Sequence, residues 1–333
     1  MITKITRRDA LQFMTAGVSA TVVMVKAPEA HAAAFPSRPI TMVCPYAPGG
    51  YVDDIARVIT PSLSKAFTQP VSVVDTPGAD GMLGQEYYLQ QPNDGYVLLA
   101  DSVTNIIQNV LIHHAPFRYD DFWMINLPAQ DFTLLATAAD NDKIKSINDV
   151  ISALKKDPAS LSVGVAPATA DYVNLVLFFE AIGIDIKQLR LVTADSGPLR
   201  TDVIGGVVDI GFSGGQGFEP LASQIRPLLT FDATRRTPYD APSVTELKLS
   251  TPLDIVPGSL RGFACHKTFK DKYPDRYNTV VSAYEGVFKD PKTTAMLTTQ
   301  NLASDWYGPE RSNEIYNHTF VLMQKYASLL KGV

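Results

Sequence analysis

The chain has 333 residues, 46% of them apolar and 19% charged, and a formal net charge of −5. That length suits two domains rather than one, and the apolar content excludes a disordered chain. No long basic run marks nucleic acid as a partner, and two cysteines, Cys44 and Cys265, are too few for a disulfide scaffold or a cysteine-rich metal site.

Residues 1–32 read as an export signal. Lys4, Arg7 and Arg8 form a basic start, and an uncharged apolar stretch runs from Phe13 to Val25. Ala30-His31-Ala32 supplies the small-x-small pattern of a cleavage site near Ala32. The apolar stretch is shorter than the ~20 residues a membrane span requires. Thr6-Arg7-Arg8-Asp9-Ala10-Leu11 resembles a twin-arginine signal, which is read as an address. The mature chain is therefore expected in the periplasm, outside the cytoplasmic membrane.

ITMVC (40–44) is a continuous apolar run, as in a strand buried on both faces. Pro45 stops it, and a turn-rich loop leads to a helix that Asp53 or Asp54 is placed to cap. VSVVD (71–75) and YVLLAD (96–101) are further strands, with a helix through Glu86 between them. This βαβαβ order predicts a parallel sheet. Both cysteines lie in such apolar runs and read as buried thiols, a disulfide between them being the sharper alternative.

The chain crosses to a second domain between Phe117 and Ala138, and the pattern restarts. A helix spans Ile147–Leu154, and LSVGVA (161–166), LRLVTA (189–194), VVDIGFS (207–213) and IRPLLTF (225–231) are strands. RGFACH (261–266) is a strand that returns to the first domain, and helices follow from Tyr273, Pro291 and Pro309. The fold class is α/β, two doubly wound lobes with a hinge and a ligand cleft. The expected boundaries are 36–132 with 258–333 for the first lobe and 133–257 for the second.

Each lobe opens with the same device: a buried strand, a loop of small residues, and a helix that starts at once. The loops are Pro45–Val52 and Ala166–Ala170. Small residues let backbone N–H groups approach a ligand, and a helix N-terminus adds free donors and a positive dipole end. Neither loop contains Arg or Lys, so an anion held there would rest on backbone, hydroxyl or water. Two such loops facing one another would clamp a carboxylate. The plainer reading is that Gly49-Gly50 only makes a tight turn.

FPSRPITMVCPYAPGGYVDDIAR resembles the opening of the substrate-binding proteins of tripartite tricarboxylate transporters, the Bug family, with its Pro-x-Lys/Arg-Pro entry and PPGGxxD loop. VSVVDTPGADGMLGQEYYLQQPNDGYVLL, VIGGVVDIGFS and RPLLTFDATRRTPYDAPSVTEL resemble later segments, so the similarity spans the mature chain. The resemblance implies a hinged architecture of the type II periplasmic-binding-protein kind. It also implies capture of a small carboxylate, delivery to membrane transporter subunits, no catalysis, no cofactor and a monomeric state.

Carried over by position, the ligand residues are Tyr46, Ala47, Pro48, Gly49, Gly50, Tyr51, Val52 and Asp53 in the first loop. Ala166, Pro167, Ala168, Thr169 and Ala170 form the second, with Ser102, Ser196 and Ser213 at or near the cleft. The family's third glycine is Tyr51 here and its threonine is Val52. Its Tyr-Lys-Gly has become Thr193-Ala194-Asp195, and Ser213 replaces a common Asp. Each departure lowers polarity or removes a charge partner, which implies a ligand less hydrophilic than citrate, an aromatic or aliphatic mono- or dicarboxylate. Tyr51 would stack on it or pack on its own loop.

The competing reading is a secreted serine hydrolase. Gly211-Phe212-Ser213-Gly214-Gly215 matches G-x-S-x-G after a strand. Asp232, Asp240 or Asp254 and then His266 or His318 follow in the order of a triad. Against it, His266 ends a strand beside Lys267 and His318 lies within a helix. No dinucleotide motif or P-loop is present, and the adjacent His113-His114 pair lacks acidic partners at metal-ligand spacing.

Overall fold

A computed structural model describes residues 35–250 and 252–331; the expected export signal lies outside the described residues. The first lobe begins with β1 (Ile40–Cys44), α1 (Tyr51–Phe67), β2 (Val71–Asp75), α2 (Met82–Leu89), β3 (Val97–Ser102), α3 (Val103–Leu111) and β4 (Phe122–Gln130). Then come β5 (Thr133–Ala138), α4 (Ile147–Lys156), β6 (Ser162–Val165), α5 (Ala170–Ala181), β7 (Arg190–Thr193), α6 (Ser196–Ile204), β8 (Ile210–Gly214), α7 (Gly215–Phe218) and β9 (Ile225–Phe231). The chain returns through β10 (Leu260–His266) and ends in α8 (Lys267–Lys272), α9 (Pro274–Lys289), α10 (Pro291–Thr299), α11 (Gly308–Lys325) and α12 (Ala327–Lys331). No helix among the described residues is long and apolar enough to cross a membrane.

Two five-stranded sheets result, in the orders β2-β1-β3-β10-β4 and β7-β6-β8-β5-β9. In each, three strands run parallel and the fourth is antiparallel to its neighbours. The antiparallel strand is in both cases the one that enters directly from the other lobe. Helices cover both faces, which is why β1 reads as one apolar run. Met42 and Cys44 face Ile55, Ile59, Tyr284 and Phe288, whereas Val43 faces Leu99, Ile107 and Met124. In the second lobe Val163, Val165, Phe178, Phe179, Phe212 and Phe231 form the main core. Cys44 and Cys265 are buried, free thiols in the first lobe's core.

The crossings lie side by side. Only Asp131 and Phe132 separate β4 from β5. The Asp131 N–H donates to Ser259 O (3.0 Å), and the Gly258 N–H donates to Asp131 O (3.1 Å). Gly258 is required there, because a Cβ would stand 3.0 Å from the Asp131 carbonyl.

Two local expectations change. α1 starts at Tyr51 behind a Gly50 cap that has no side-chain hydrogen bond, so Asp53 lies in the first turn and not at the cap. The segment after β3 is the helix α3, unmarked in the sequence reading; its Val103, Ile106 and Ile107 recur at helical spacing and are buried.

Candidate ligand site between the two lobes

The loop from β1 to α1 is held mainly by its own helix. Asp53, 2% exposed, accepts the Gly49 N–H through Oδ2 (2.8 Å) and pairs through Oδ1 with Arg57 Nε (2.6 Å). Burial would raise this carboxyl, but Arg57 and the Gly49 amide outweigh it and hold it below its ordinary value. The left-handed position is Gly49 (φ 84°); Gly50 has φ −90° and space for a Cβ, with Ala47 O at 3.7 Å. Ala47, Pro48 and Gly49 are exposed.

Beneath this loop runs a buried polar chain. Tyr46 Oη donates to Asp101 Oδ1 (2.8 Å), Gln85 Nε2 to Asp101 Oδ2 (2.9 Å), and Asn109 Nδ2 to Gln85 Oε1 (2.9 Å). Burial pushes Asp101 up to about 7, against the opposing pull of Tyr46 and Gln85. Ser102 Oγ donates to Asn105 Oδ1 (3.0 Å), which fixes the first turn of α3.

The loop from β6 to α5 is tied differently. Thr169 Oγ1 donates to Ala166 O (2.8 Å) and accepts the Tyr172 N–H (3.3 Å), an N-cap on α5. Ala168 takes a left-handed conformation (φ 56°), and its carbonyl accepts Gln108 Nε2 from α3 across the cleft (3.1 Å).

Between the lobes lies a cavity of about 410 Å³, within the range of small-ligand pockets. The first lobe supplies Tyr51, Thr104, Asn105, Gln108 and Arg261, and the second supplies Thr169, Ala170, Asp171, Ser196, Arg200 and Gln216. Asp131, Gly258 and Ser259 come from the crossings. Tyr51 is held by the first lobe, its Oη accepting the Ala303 N–H (2.9 Å) and its ring lying 4.8 Å under the Arg261 guanidinium.

Two guanidiniums therefore face this space. Arg261 Nη1 donates to Gln216 Oε1 (3.0 Å), and Arg200 Nη1 donates to Ser213 Oγ (3.3 Å). Among the described residues neither forms an ion pair within 4.0 Å. Arg200 lies against the bare Cα of Gly217, where a Cβ would stand 2.5 Å from Nη1.

Of the residues singled out in the sequence, the cavity wall contains Tyr51, Thr169, Ala170 and Ser196. Ala47, Pro48, Gly49, Gly50, Val52, Ala166, Pro167 and Ala168 are outside it, and Tyr46, Asp53 and Ser102 are engaged in the bonds above. Ser213 is fully buried in β8 with Arg200 on its hydroxyl, while the His266 ring lies tilted against Tyr88 (centroids 4.8 Å apart) in the first lobe and His318 sits on α11. Those positions do not assemble a triad. The sequence reading missed Thr104, Asn105, Gln108, Asp131, Asp171, Arg200, Gln216 and Arg261, and with them most of the polarity of the wall. Of these, α3's residues carried a readable signal in the helical spacing after Ser102; the arginines carried none.

The family model described as tripartite tricarboxylate transporter family receptor matches residues 55–223. A UPF0065 protein of Bordetella bronchiseptica is 30% identical over 235 residues, 68% of this chain and 68% of that protein. The UPF0065 protein in the tcbD-tcbE intergenic region of Pseudomonas sp. (strain P51) is 31% identical over 178 residues, 53% of this chain. The match spans about half of that relative's length, 52%. In fold, the chain is similar to a TctC solute binding protein from Polaromonas, with a TM-score of 0.74 at 19% identity, over 90% of this chain and all of the other. Rpa4515 of R. palustris follows at a TM-score of 0.63 and 21% identity, over 89% and 98%. With two wound lobes, a cleft between them and a family match over half its length, this chain belongs to the tripartite tricarboxylate transporter receptor family of solute-binding proteins.

Proposed function

We propose that this receptor works in the periplasm, holds a small organic carboxylate in the cavity between its lobes, and delivers it to the membrane subunits of a tripartite tricarboxylate-type transporter. The observation that carries the reading is the pair Arg200 and Arg261, guanidiniums from opposite lobes facing one cavity without an ion-pair partner. A guanidinium recognises a carboxylate through two parallel N–H bonds. A cation whose counter-ion arrives with the ligand favours the closed arrangement only when the ligand is present. The Rpa4515 structure, similar in fold, is described with adipate, itself a carboxylate. The wall is more polar than the loop substitutions imply, because Asp171 on α5, Arg200 on α6 and Arg261 on β10 line it.

The test is a thermal-shift screen of the chain from residue 33 against aliphatic and aromatic carboxylates, with sugars and inorganic cations as controls. A ligand at 100 times its Kd should add about 2.7 kcal/mol of stability. A response to sugars or cations alone would remove the carboxylate reading.

A further inference from the structure

Gln216, in α7, is bonded to both members of a charge pair that does not form. Its Oε1 accepts Arg261 Nη1 from the first lobe (3.0 Å), and its N–H donates to Asp131 Oδ1 on the crossing (3.0 Å). Arg261 and Asp131 line the same cavity, yet they stand farther apart than the 4.0 Å of an ion pair. Asp131, 7% exposed, takes the Phe132 N–H (2.8 Å) on the same Oδ1, so Oδ2 lies outside both bonds. Burial pushes this carboxyl up, and Arg261 is the charge that draws it back most.

The other charges around Asp131 are committed or repelled. Arg236 Nη2 donates to Gln130 O (2.7 Å), and its Nη1 pairs with Asp232 (3.4 Å). Arg200 Nη1 donates to Ser213 Oγ (3.3 Å). Asp171 and Glu219 are carboxyls that Asp131 raises. Arg261 is held more loosely. Its own lobe gives it the Tyr51 ring, 4.8 Å from the guanidinium carbon, and the acceptor on Nη1 comes from the other lobe.

A guanidinium beside a buried carboxylate gains more from pairing with it than from bonding a neutral amide. Something must therefore hold these two apart. A neutral amide suits that task, because it accepts from the guanidinium without cancelling its charge. A carboxylate in its place would leave no positive charge for a ligand.

We propose that Gln216 is a positioning residue: with Arg261 on its side-chain oxygen and Asp131 on its N–H, it keeps the two charges from pairing and aims the Arg261 guanidinium into the cavity. The proposal rests on the carboxylate-capture reading, in which Arg261 is one of the two cations that meet the ligand. Because Gln216 and Arg261 belong to opposite lobes, Arg261 is aimed only while the lobes are together.

A double-mutant cycle with Asp131 tests this, by isothermal titration with adipate and benzoate as the carboxylates. Gln216→Leu should weaken binding by about tenfold or more, equivalent to about 1.4 kcal/mol. In the Asp131→Asn background the same substitution should have much less effect, since Arg261 then has no carboxylate to turn to. Gln216→Glu should weaken binding in both backgrounds, because it brings its own carboxylate to Arg261. Circular dichroism confirms that each variant folds, and Gln216→Met replaces the leucine variant if that one does not. A second readout needs no ligand. Asp131 is raised in the folded chain, so stability falls as pH climbs above the ordinary carboxylate value of about 3.9. Pairing with Arg261 lowers the folded value, so melting curves of Gln216→Leu should show a shallower fall than wild type, and the difference should vanish in the Asp131→Asn background. Unchanged affinity in Gln216→Leu, or a loss that persists undiminished beside Asp131→Asn, overturns the proposal and leaves carboxylate capture standing. Binding of neither probe, with no response in the wider carboxylate screen, overturns the underlying reading, while the melting curves still decide whether Gln216 separates the two charges.

Discussion

The two strand-to-helix loops share a design but use it differently. In the first, the helix turns its own carboxylate back on the loop, and Asp53 takes the Gly49 N–H that an anion would need. The loop tip is exposed, and only Tyr51 at the start of α1 reaches the cavity. In the second, the cap is a neutral hydroxyl, and Thr169, Ala170 and Asp171 all line the cavity with Arg200 nearby. A loop of small residues before a helix is therefore a scaffold whose donors are available only if nothing in its own helix has claimed them. The first loop is a strut, and the end of the second walls the cavity.

The largest expected effect tests that contrast directly. Arg200→Ala should weaken carboxylate binding by about 2–4 kcal/mol, the scale of losing one partner of a desolvated charge pair. Ala47→Ser and Pro48→Ala, at the exposed tip of the first loop, should each change it by less than about 0.5 kcal/mol. Titration calorimetry on the three variants checks this, and equal losses would erase the distinction. Gly217→Ala sharpens it, since the added methyl displaces the guanidinium without touching the core. Affinity should fall between wild type and Arg200→Ala while the melting temperature holds.

The next effect is a pH dependence. Asp101 beneath the first loop and Asp171 at the second are both raised by burial to about 7. In the unfolded chain they ionise near the ordinary value of about 3.9. Between those values the unfolded state sheds protons that the folded state keeps, so stability falls as pH rises from about 4 to about 7 and then levels off. Each group contributes at most about 1.4 kcal/mol per pH unit. Melting curves from pH 4.5 to 8 should show a shallower slope in Asp101→Asn and in Asp171→Asn. Only the second substitution should also alter ligand binding, because Asp171 lines the cavity and Asp101 does not.

Asp53→Ala should cost about 1–2 kcal/mol of stability, the loss of a buried charged acceptor. Because that carboxyl is held low, its contribution is present above its unfolded value and lost as pH falls through the folded one. The difference between wild type and variant should therefore close in strong acid, as denaturant titration would record. The smallest effect belongs to Thr169→Ala, about 1 kcal/mol for a lost N-cap. Since α5 carries Asp171, that change should also loosen binding slightly, whereas Asp53→Ala should leave it within twofold.

Much of the architecture was legible from local pattern. ITMVC and IRPLLTF read as strands because burial on both faces leaves no polar alternation, and RGFACH reads as a strand that returns to the first lobe, where β10 pairs with β3 and β4. The helix after β3 was not marked, because Ser102 ends the strand and begins the helix with no turn residues between. The site was legible only in part, for a physical reason. Thr169, Ala170 and Ser196 stand at helix starts, which sequence marks. Arg200 and Arg261 meet only because β10 lies between β3 and β4 and because α6 lies over β8, and no local spacing encodes that meeting. The charges of Asp131 and Asp171 likewise gain their meaning from burial, which the sequence around them does not announce.

The side-by-side crossings have a consequence for how the chain assembles. The second sheet is made from one unbroken stretch, Thr133–Phe231, and every strand it needs leaves the ribosome in succession. The first sheet lacks its antiparallel strand until Leu260–His266 appears, so β3 and β4 wait with bare edges while the whole of the other lobe is synthesised. Long-range pairing of this kind raises contact order and slows closure, and an unpaired strand edge invites association with other chains. The lobe that is begun first is thus the one completed last, and β10, running beside the Gly258–Asp131 contact, is the strand that closes it.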